Sequence, residues 1–303
     1  MAAQTNVHIY GNGLFQDQSP PYPEQLRQMV QARFDTVTLW ALRAHKNGDL
    51  YYNDNLAVRN GALMTGPGQL NPRLPDLLAA LRGAGGLRTL SFSIGPLATD
   101  FRYLAADAAR AAANLRVLIA ALDIDSIDFD YEGDYSDSDQ RMLVELTLML
   151  RSLGVDVTYC PYTAEEFWLG CLTEIHARQG RQLVARYNLQ CHDGGGDNDP
   201  VEWARTLQQS SRSTGIADPY AFVQPGYRVM NTGPNSFYGK CPNAIENTFA
   251  ALSAEGICGG WLWNAGDVFA NEQSSLCPGQ DVTPAGYGCA LARGLAAGAA
   301  MHA

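Results

Sequence analysis

The stretch Asp125–Glu132 reads DSIDFDYE, and it opens a longer acidic run, DSIDFDYEGDYSDSD, that ends at Asp139. Seven carboxylates fall within that run, in a chain of which only 17% is charged. From Ser126 onward polar and apolar positions alternate strictly, which is the period of a strand with two unlike faces. Asp128, Asp130 and Glu132, at i, i+2 and i+4, then project to one side, while Ile127, Phe129 and Tyr131 project to the other. A solvated loop has no reason to keep such a period.

Seven further runs rich in β-branched and aromatic residues flank this one, at residues 6–11 (NVHIYG), 35–42, 87–95, 155–163, 183–191, 220–227 and 259–264 (GGWLWN). Each is followed by a helical pattern, such as residues 23–34, 74–84, 105–122, 139–154, 164–180, 199–210, 241–256 and 286–300. Several of these patterns begin after Pro, Ser or Asp and stop at Gly, as helix caps require. Eight strands alternating with eight helices predict an α/β fold, a (β/α)8 TIM barrel. An open doubly wound sheet is the rival, but the first strand ends in YGNGLFQ, without the glycine spacing of a dinucleotide loop. No linker or low-complexity tract divides the chain, so residues 1–303 read as a single domain.

In the barrel the acidic face of the fourth strand points into the lumen, and Glu132 lies nearest the C-terminal mouth. Three carboxylates so confined cannot all ionise cheaply, because like charges raise one another's pKa. One should hold a proton near neutral pH, the condition for a general acid. Two other readings compete. As a calcium loop, Asp128, Asp130, Glu132, Gly133 and Asp139 would occupy positions 1, 3, 5, 6 and 12, but the last is not Glu and no helix precedes it. As a solvated loop, the run alternates too regularly.

Lys and Arg number 21 against 31 for Asp and Glu, a formal charge of -10, so polyanions are repelled on average. No nucleic acid and no membrane partner is expected. No run approaches the roughly 18 to 20 apolar residues of a membrane span, and the start MAAQTNVHIYGNG lacks the regions of an export signal. All seven cysteines lie in the second half, without a metal-ligand spacing, so no metal is expected. An odd number leaves at least one thiol free, and Cys277 with Cys289 is the expected bridge. A mature secreted, extracellular domain that has lost its leader is favoured over a cytoplasmic protein with reduced thiols.

Asp125, Asp128, Asp130 and Glu132 match the Asp-x-x-Asp-x-Asp-x-Glu motif on the fourth strand of the glycoside hydrolase family 18 barrels, the chitinases and endo-β-N-acetylglucosaminidases, and the chain resembles that family. LSFSIGP on the third strand is similar to the family's Ser-x-Gly-Gly segment through Ser93 and Gly95, with Pro96 in place of the second Gly. Tyr10 on the first strand, the Tyr187–Asn188 pair on the sixth and Trp263 on the eighth resemble family positions in the same order. Ser126 and Ala185 depart from the pattern.

The resemblance implies retaining hydrolysis without an enzyme nucleophile, in which the sugar's own 2-acetamido carbonyl attacks C1. Glu132 would protonate the leaving oxygen and then activate water. Asp130 would orient the acetamide, and Asp128 would share a proton with Asp130. Tyr187 would donate to the acetamide oxygen, Asn188 would contact the sugar or the acid, and Tyr10 and Trp263 would stack on the sugar. The implied partner of a monomeric, endo-acting enzyme is an N-acetylglucosamine-containing polysaccharide or oligosaccharide, chitin first, with no cofactor. An enzyme acting on N-glycan cores and a non-hydrolytic chitinase-like lectin are the alternatives.

Overall fold

The computed structural model of the chain describes residues 5–16, 19–233 and 235–299. Eight strands form the barrel: β1 (Asn6–Asn12), β2 (Thr36–Ala44), β3 (Thr89–Ile94), β4 (Ser126–Phe129), β5 (Asp156–Tyr159), β6 (Val184–Gln190), β7 (Val223–Arg228) and β8 (Gly259–Trp263). Each pairs in parallel with its sequence neighbours, and β1 pairs with both β2 and β8, so the sheet closes on itself. The expected (β/α)8 barrel is therefore present. Every one of these strands overlaps a run read from the sequence as a strand.

The alternation on β4 sorts its residues as expected. Ile127, Phe129 and Tyr131 are fully buried on the outer face, where the Phe101 ring from the helix Ala98–Ala106 meets Phe129 edge-on at 5.3 Å and Tyr131 at 5.2 Å. Burying such rings is the main stabilisation of that face, worth about 1.5–3 kcal/mol per large apolar side chain. The lumen is different in kind. Its middle holds His8, Thr38, Ser93, Asp128, Thr158 and Asn188, all buried and polar, where barrels of this type commonly pack branched aliphatics.

Three features depart from the expected elements. The pattern at residues 105–122 is two helices, Ala98–Ala106 and Ala108–Leu122, because Asp107 leaves helical geometry and caps the second by accepting from the Arg110 amide. After β2 the chain adds three short antiparallel strands, Leu50–Tyr52, Asn55–Arg59 and Ala62–Leu63, turned at Asn53 and Asp54, both left-handed as a tight hairpin demands. The final helix runs Pro284–Ala299, and residue 300 of the expected span lies outside the described residues. The latter half of the acidic run behaves as read: Ser136 and Asp139 form a capping box for the helix Asp137–Ser152.

The disulfide corrects the sequence reading. Cys277 bonds to Cys241, 36 residues away, while Cys289 is free and exposed. Cys289 is exposed on the helix Pro284–Ala299, and it is Cys241, immediately before the helix Pro242–Ala254, whose Cα lies 5.6 Å from that of Cys277. Closing a loop of this length constrains the unfolded chain. Cys241→Ser should cost roughly 3–4 kcal/mol in denaturant unfolding. A non-reducing peptide map should recover Cys241 joined to Cys277 with Cys289 alkylated; a Cys277–Cys289 peptide would contradict this pairing.

Candidate active site

The C-terminal mouth of the barrel opens on a pocket of about 560 Å³. Its floor is aromatic. Trp261 and Trp263 project inward from β8, Tyr10 from β1 and Trp40 from β2, with Trp40 and Trp263 meeting edge-on at 4.8 Å and Tyr10 and Trp261 tilted at 4.5 Å. Gly226 on β7 makes room for Trp261, since a Cβ there would lie 1.8 Å from the indole. Gly95, at φ +142, leaves β3 so close to β4 that a Cβ would meet the Asp130 carbonyl oxygen at 2.0 Å.

The three carboxylates stand at three depths. Asp128 is fully buried and accepts four hydrogen bonds: Tyr10 Oη (2.9 Å) and Ser93 Oγ (2.8 Å) donate to Oδ2, and Thr158 Oγ1 (2.6 Å) and Asn188 Nδ2 (2.8 Å) to Oδ1. Asp130 lies one step higher and lines the pocket, with Trp40 Nε1 donating to Oδ2 at 2.9 Å and Gln190 Nε2 to Oδ1 at 3.0 Å. Glu132 is exposed at the rim, where its backbone bridges to Leu97. No hydrogen bond joins Asp128 to Asp130 among the described residues, and each carboxylate has its own set of donors.

Burial pushes Asp128 and Asp130 upward, partial desolvation at the rim does the same for the Glu132 carboxyl, and their surroundings then separate them. Asp128 is raised by burial against four donors that favour its ionised form. Asp130 is held well above the usual carboxylate range, first by burial and then by the charges of Glu132 and Asp128, with Trp40 and Gln190 opposing. Glu132 is raised by the crowding of its carboxyl, opposed by Gln190 and reinforced by Asp193. Beyond them Arg228 joins Asp193 (2.8 Å) and Asp267 (3.3 Å) across the pocket wall.

Of the residues singled out from the sequence, the structure brings Asp128, Asp130, Glu132, Tyr10, Asn188 and Trp263 together. Tyr187 is not among them. It is buried on the outer face of β6 against Trp203 and Phe222, and its hydroxyl has no hydrogen-bond partner among the described residues. Adjacent residues of a strand face opposite ways, so Tyr187 and Asn188 could not both enter the lumen. With Asn188 inward, the same alternation selects Gln190, which reading the sequence missed. Asn188 itself contacts the buried acid and lies below the pocket. Trp261, His192, Asp193, Arg228 and Asp267 were also missed, for they come together only when the mouths of β6, β7 and β8 converge.

No protein-family model matches the chain, and no curated protein sequence matches it. Solved structures do. A chitinase from Bacteroides thetaiotaomicron is similar at 12% identity over 97% of this chain and 97% of that one, with a TM-score of 0.62. The GH18 chitinase ChiB from the chitin utilization locus of Flavobacterium johnsoniae matches at 12% identity, 97% and 94% coverage and a TM-score of 0.59. The catalytic domain of a family GH18 chitinase from the fern Peteris ryukyuensis matches at 15% identity, 95% and 98% coverage and a TM-score of 0.58. The chain thus carries the fold of the family 18 chitinase structures over nearly its whole length.

Gln190→Leu removes one of the two donors that favour ionised Asp130. Its carboxyl should therefore titrate higher, by about one pH unit, in a carbon-detected NMR titration of labelled aspartate. An unchanged Asp130 titration would show that Gln190 does not act on it.

Proposed function

We propose that the protein is a retaining, endo-acting glycoside hydrolase that cleaves β-1,4 linkages of N-acetylglucosamine-containing glycans, chitin or chitooligosaccharides first. The observation that carries this reading is the ladder on β4 and the residues that continue it: a fully buried, four-fold hydrogen-bonded Asp128, a buried Asp130 lining the pocket and a rim Glu132, all beside one aromatic floor. Such an array keeps one proton available at the mouth while the carboxylates below stay fixed.

In this reading a sugar lies over Trp263 and Tyr10 with its acetamide directed at Asp130. The acetamide oxygen attacks C1 as the glycosidic bond breaks, and the leaving oxygen takes the proton of Glu132. Asp130 then faces the positive charge on the acetamide nitrogen of the oxazolinium ion. Water next attacks C1, gives its proton to the Glu132 carboxylate, and restores the acetamide with net retention. Gln190, not Tyr187, is the β6 side chain within reach of this centre.

An open cleft suits internal attack on a chain. Among the described residues the connection from β7 to β8 holds one short turn at Ser236–Tyr238 and the helix Pro242–Ala254, which supports that mode and the single-domain reading. No helix among the described residues is long and apolar enough to cross a membrane. The Cys241–Cys277 bridge supports a secreted protein, and the reading includes a monomer. Retention of Glu132 favours turnover over a binding-only lectin.

Glu132→Gln should lower kcat on chitooligosaccharides by about 10³-fold or more while oligosaccharide binding persists, since only the transferable proton is lost. Wild-type hydrolysis should release the β-anomer first by NMR, and an inverted product would refute the acetamide route. The alkaline limb of kcat should lie above the ordinary carboxylate range, because Glu132 is raised. Cleavage of a high-mannose glycopeptide in parallel, with chitooligosaccharides left intact, would move the substrate to N-glycan cores.

A further inference from the structure

Below the pocket, at the closed end of the lumen, β6 carries a third inward side chain that the chemistry above does not use. Arg186 donates from Nε to Asn188 Oδ1 at 3.0 Å, and Asn188 in turn donates from Nδ2 to Asp128 Oδ1 at 2.8 Å and to Thr158 Oγ1 at 3.2 Å. The orientation of that amide follows from its neighbours. A guanidinium only donates and an ionised carboxylate only accepts, so the oxygen of Asn188 must face Arg186 and its nitrogen Asp128.

Ionisable groups surround Asp128 and Arg186 from several elements: Tyr10 on β1, Asp130 just after β4, Cys160 just after β5 and Arg186 on β6 face Asp128, while His8 on β1 and Asp156 at the start of β5 face Arg186. Burial keeps Tyr10 and Cys160 in their neutral forms and lowers His8 below its ordinary value, with Arg186 lowering it further. Asp156, at the bottom, is exposed and pairs with Arg151. Arg186 is then the cation facing a fully buried carboxylate, and isolated buried charge is expensive.

We propose that Arg186 is a positioning residue that acts through Asn188: it fixes the amide against Asp128 and supplies the positive charge that lets Asp128 and Asp130 be ionised together. Removing it makes the doubly ionised pair costlier, so the pair's second ionisation moves to higher pH. The catalytic consequence rests on the hydrolase reading above, in which Asp130 works as a carboxylate. The electrostatic consequence does not.

The test uses Arg186→Met, which removes the charge, and Arg186→Lys, which keeps it. On chitooligosaccharides Arg186→Met should raise the acid limb of kcat/KM by about one pH unit, with KM changed less than about threefold, while Arg186→Lys stays closer to wild type. Folding is measured in parallel. Asp128 has a folded value above its unfolded one, so its contribution is present at low pH and is lost as pH rises. Losing Arg186 raises that value further, so the Tm deficit of Arg186→Met should be larger at pH 8 than at pH 4, by about 2–4 °C for each tenfold weakening of the acid.

In an Asp128→Asn background the same replacement should cost no extra Tm at high pH. A deficit equal at both pH values, or one that survives Asp128→Asn unchanged, overturns the proposal and leaves Arg186 a packing residue. If wild type hydrolyses no substrate but the pH-dependent deficit appears, the hydrolase reading fails and the role of Arg186 stands.

Discussion

The carboxylate of Asp128 accepts hydrogen bonds from four strands other than its own: Tyr10 from β1, Ser93 from β3, Thr158 from β5 and Asn188 from β6. No single strand could supply this set. A charge in the middle of a barrel is tolerated only when its lone pairs are filled, and breaking such a group by removing partners costs several kcal/mol, on the order of 3–5. Closing the sheet and satisfying Asp128 are therefore one event. The donors converge only in the closed barrel, and the carboxylate in turn holds the inward side chains of those strands at one level.

From that level the geometry of a strand does the rest. Each step of two residues advances about 6.6 Å along β4 on the same face. Asp130 thus emerges at the pocket floor, where Trp40 and Gln190 clamp its two oxygens, and Glu132 emerges at the rim. A repeat of two in sequence becomes a gradient of burial, and the gradient becomes a division of labour among chemically similar groups. The aromatic floor depends on the same layering, since Trp261 and Trp263 are also two residues apart, Trp261 level with Gly226 and Trp263 one step higher, level with Arg228.

The same layering decides which elements the sequence reveals. The strands were legible because each carries an apolar outer face packed against helices, and β4 was legible twice, through Ile127, Phe129 and Tyr131 as well as through its acids. Asp107 hid a helix break inside an alanine-rich periodic run, because capping by one side chain leaves no mark on the period. The hairpin after β2 turns at Asn53 and Asp54 between strands of three and five residues, whose buried Leu50, Tyr52, Leu56 and Val58 carry an apolar pattern overshadowed by the longer runs. The Cys241–Cys277 bridge joins segments whose proximity is set by tertiary packing, which spacing along the chain does not encode.

The site was legible where one strand supplies it and obscure where several do. Tyr187 was chosen by resemblance, and the strict alternation that identified the acids on β4 would have rejected it on β6 once Asn188 was placed inward. Gln190 and Arg186 then follow from Asn188 by the same rule, one above and one below. The three form a column parallel to the acids that begin on β4: Gln190 donates to Asp130, Asn188 to Asp128, and Arg186 to Asn188 from below. Two strands, with only β5 between them, thereby oppose a ladder of carboxylates with a ladder of donors, and the match is possible because both ladders share the period of two.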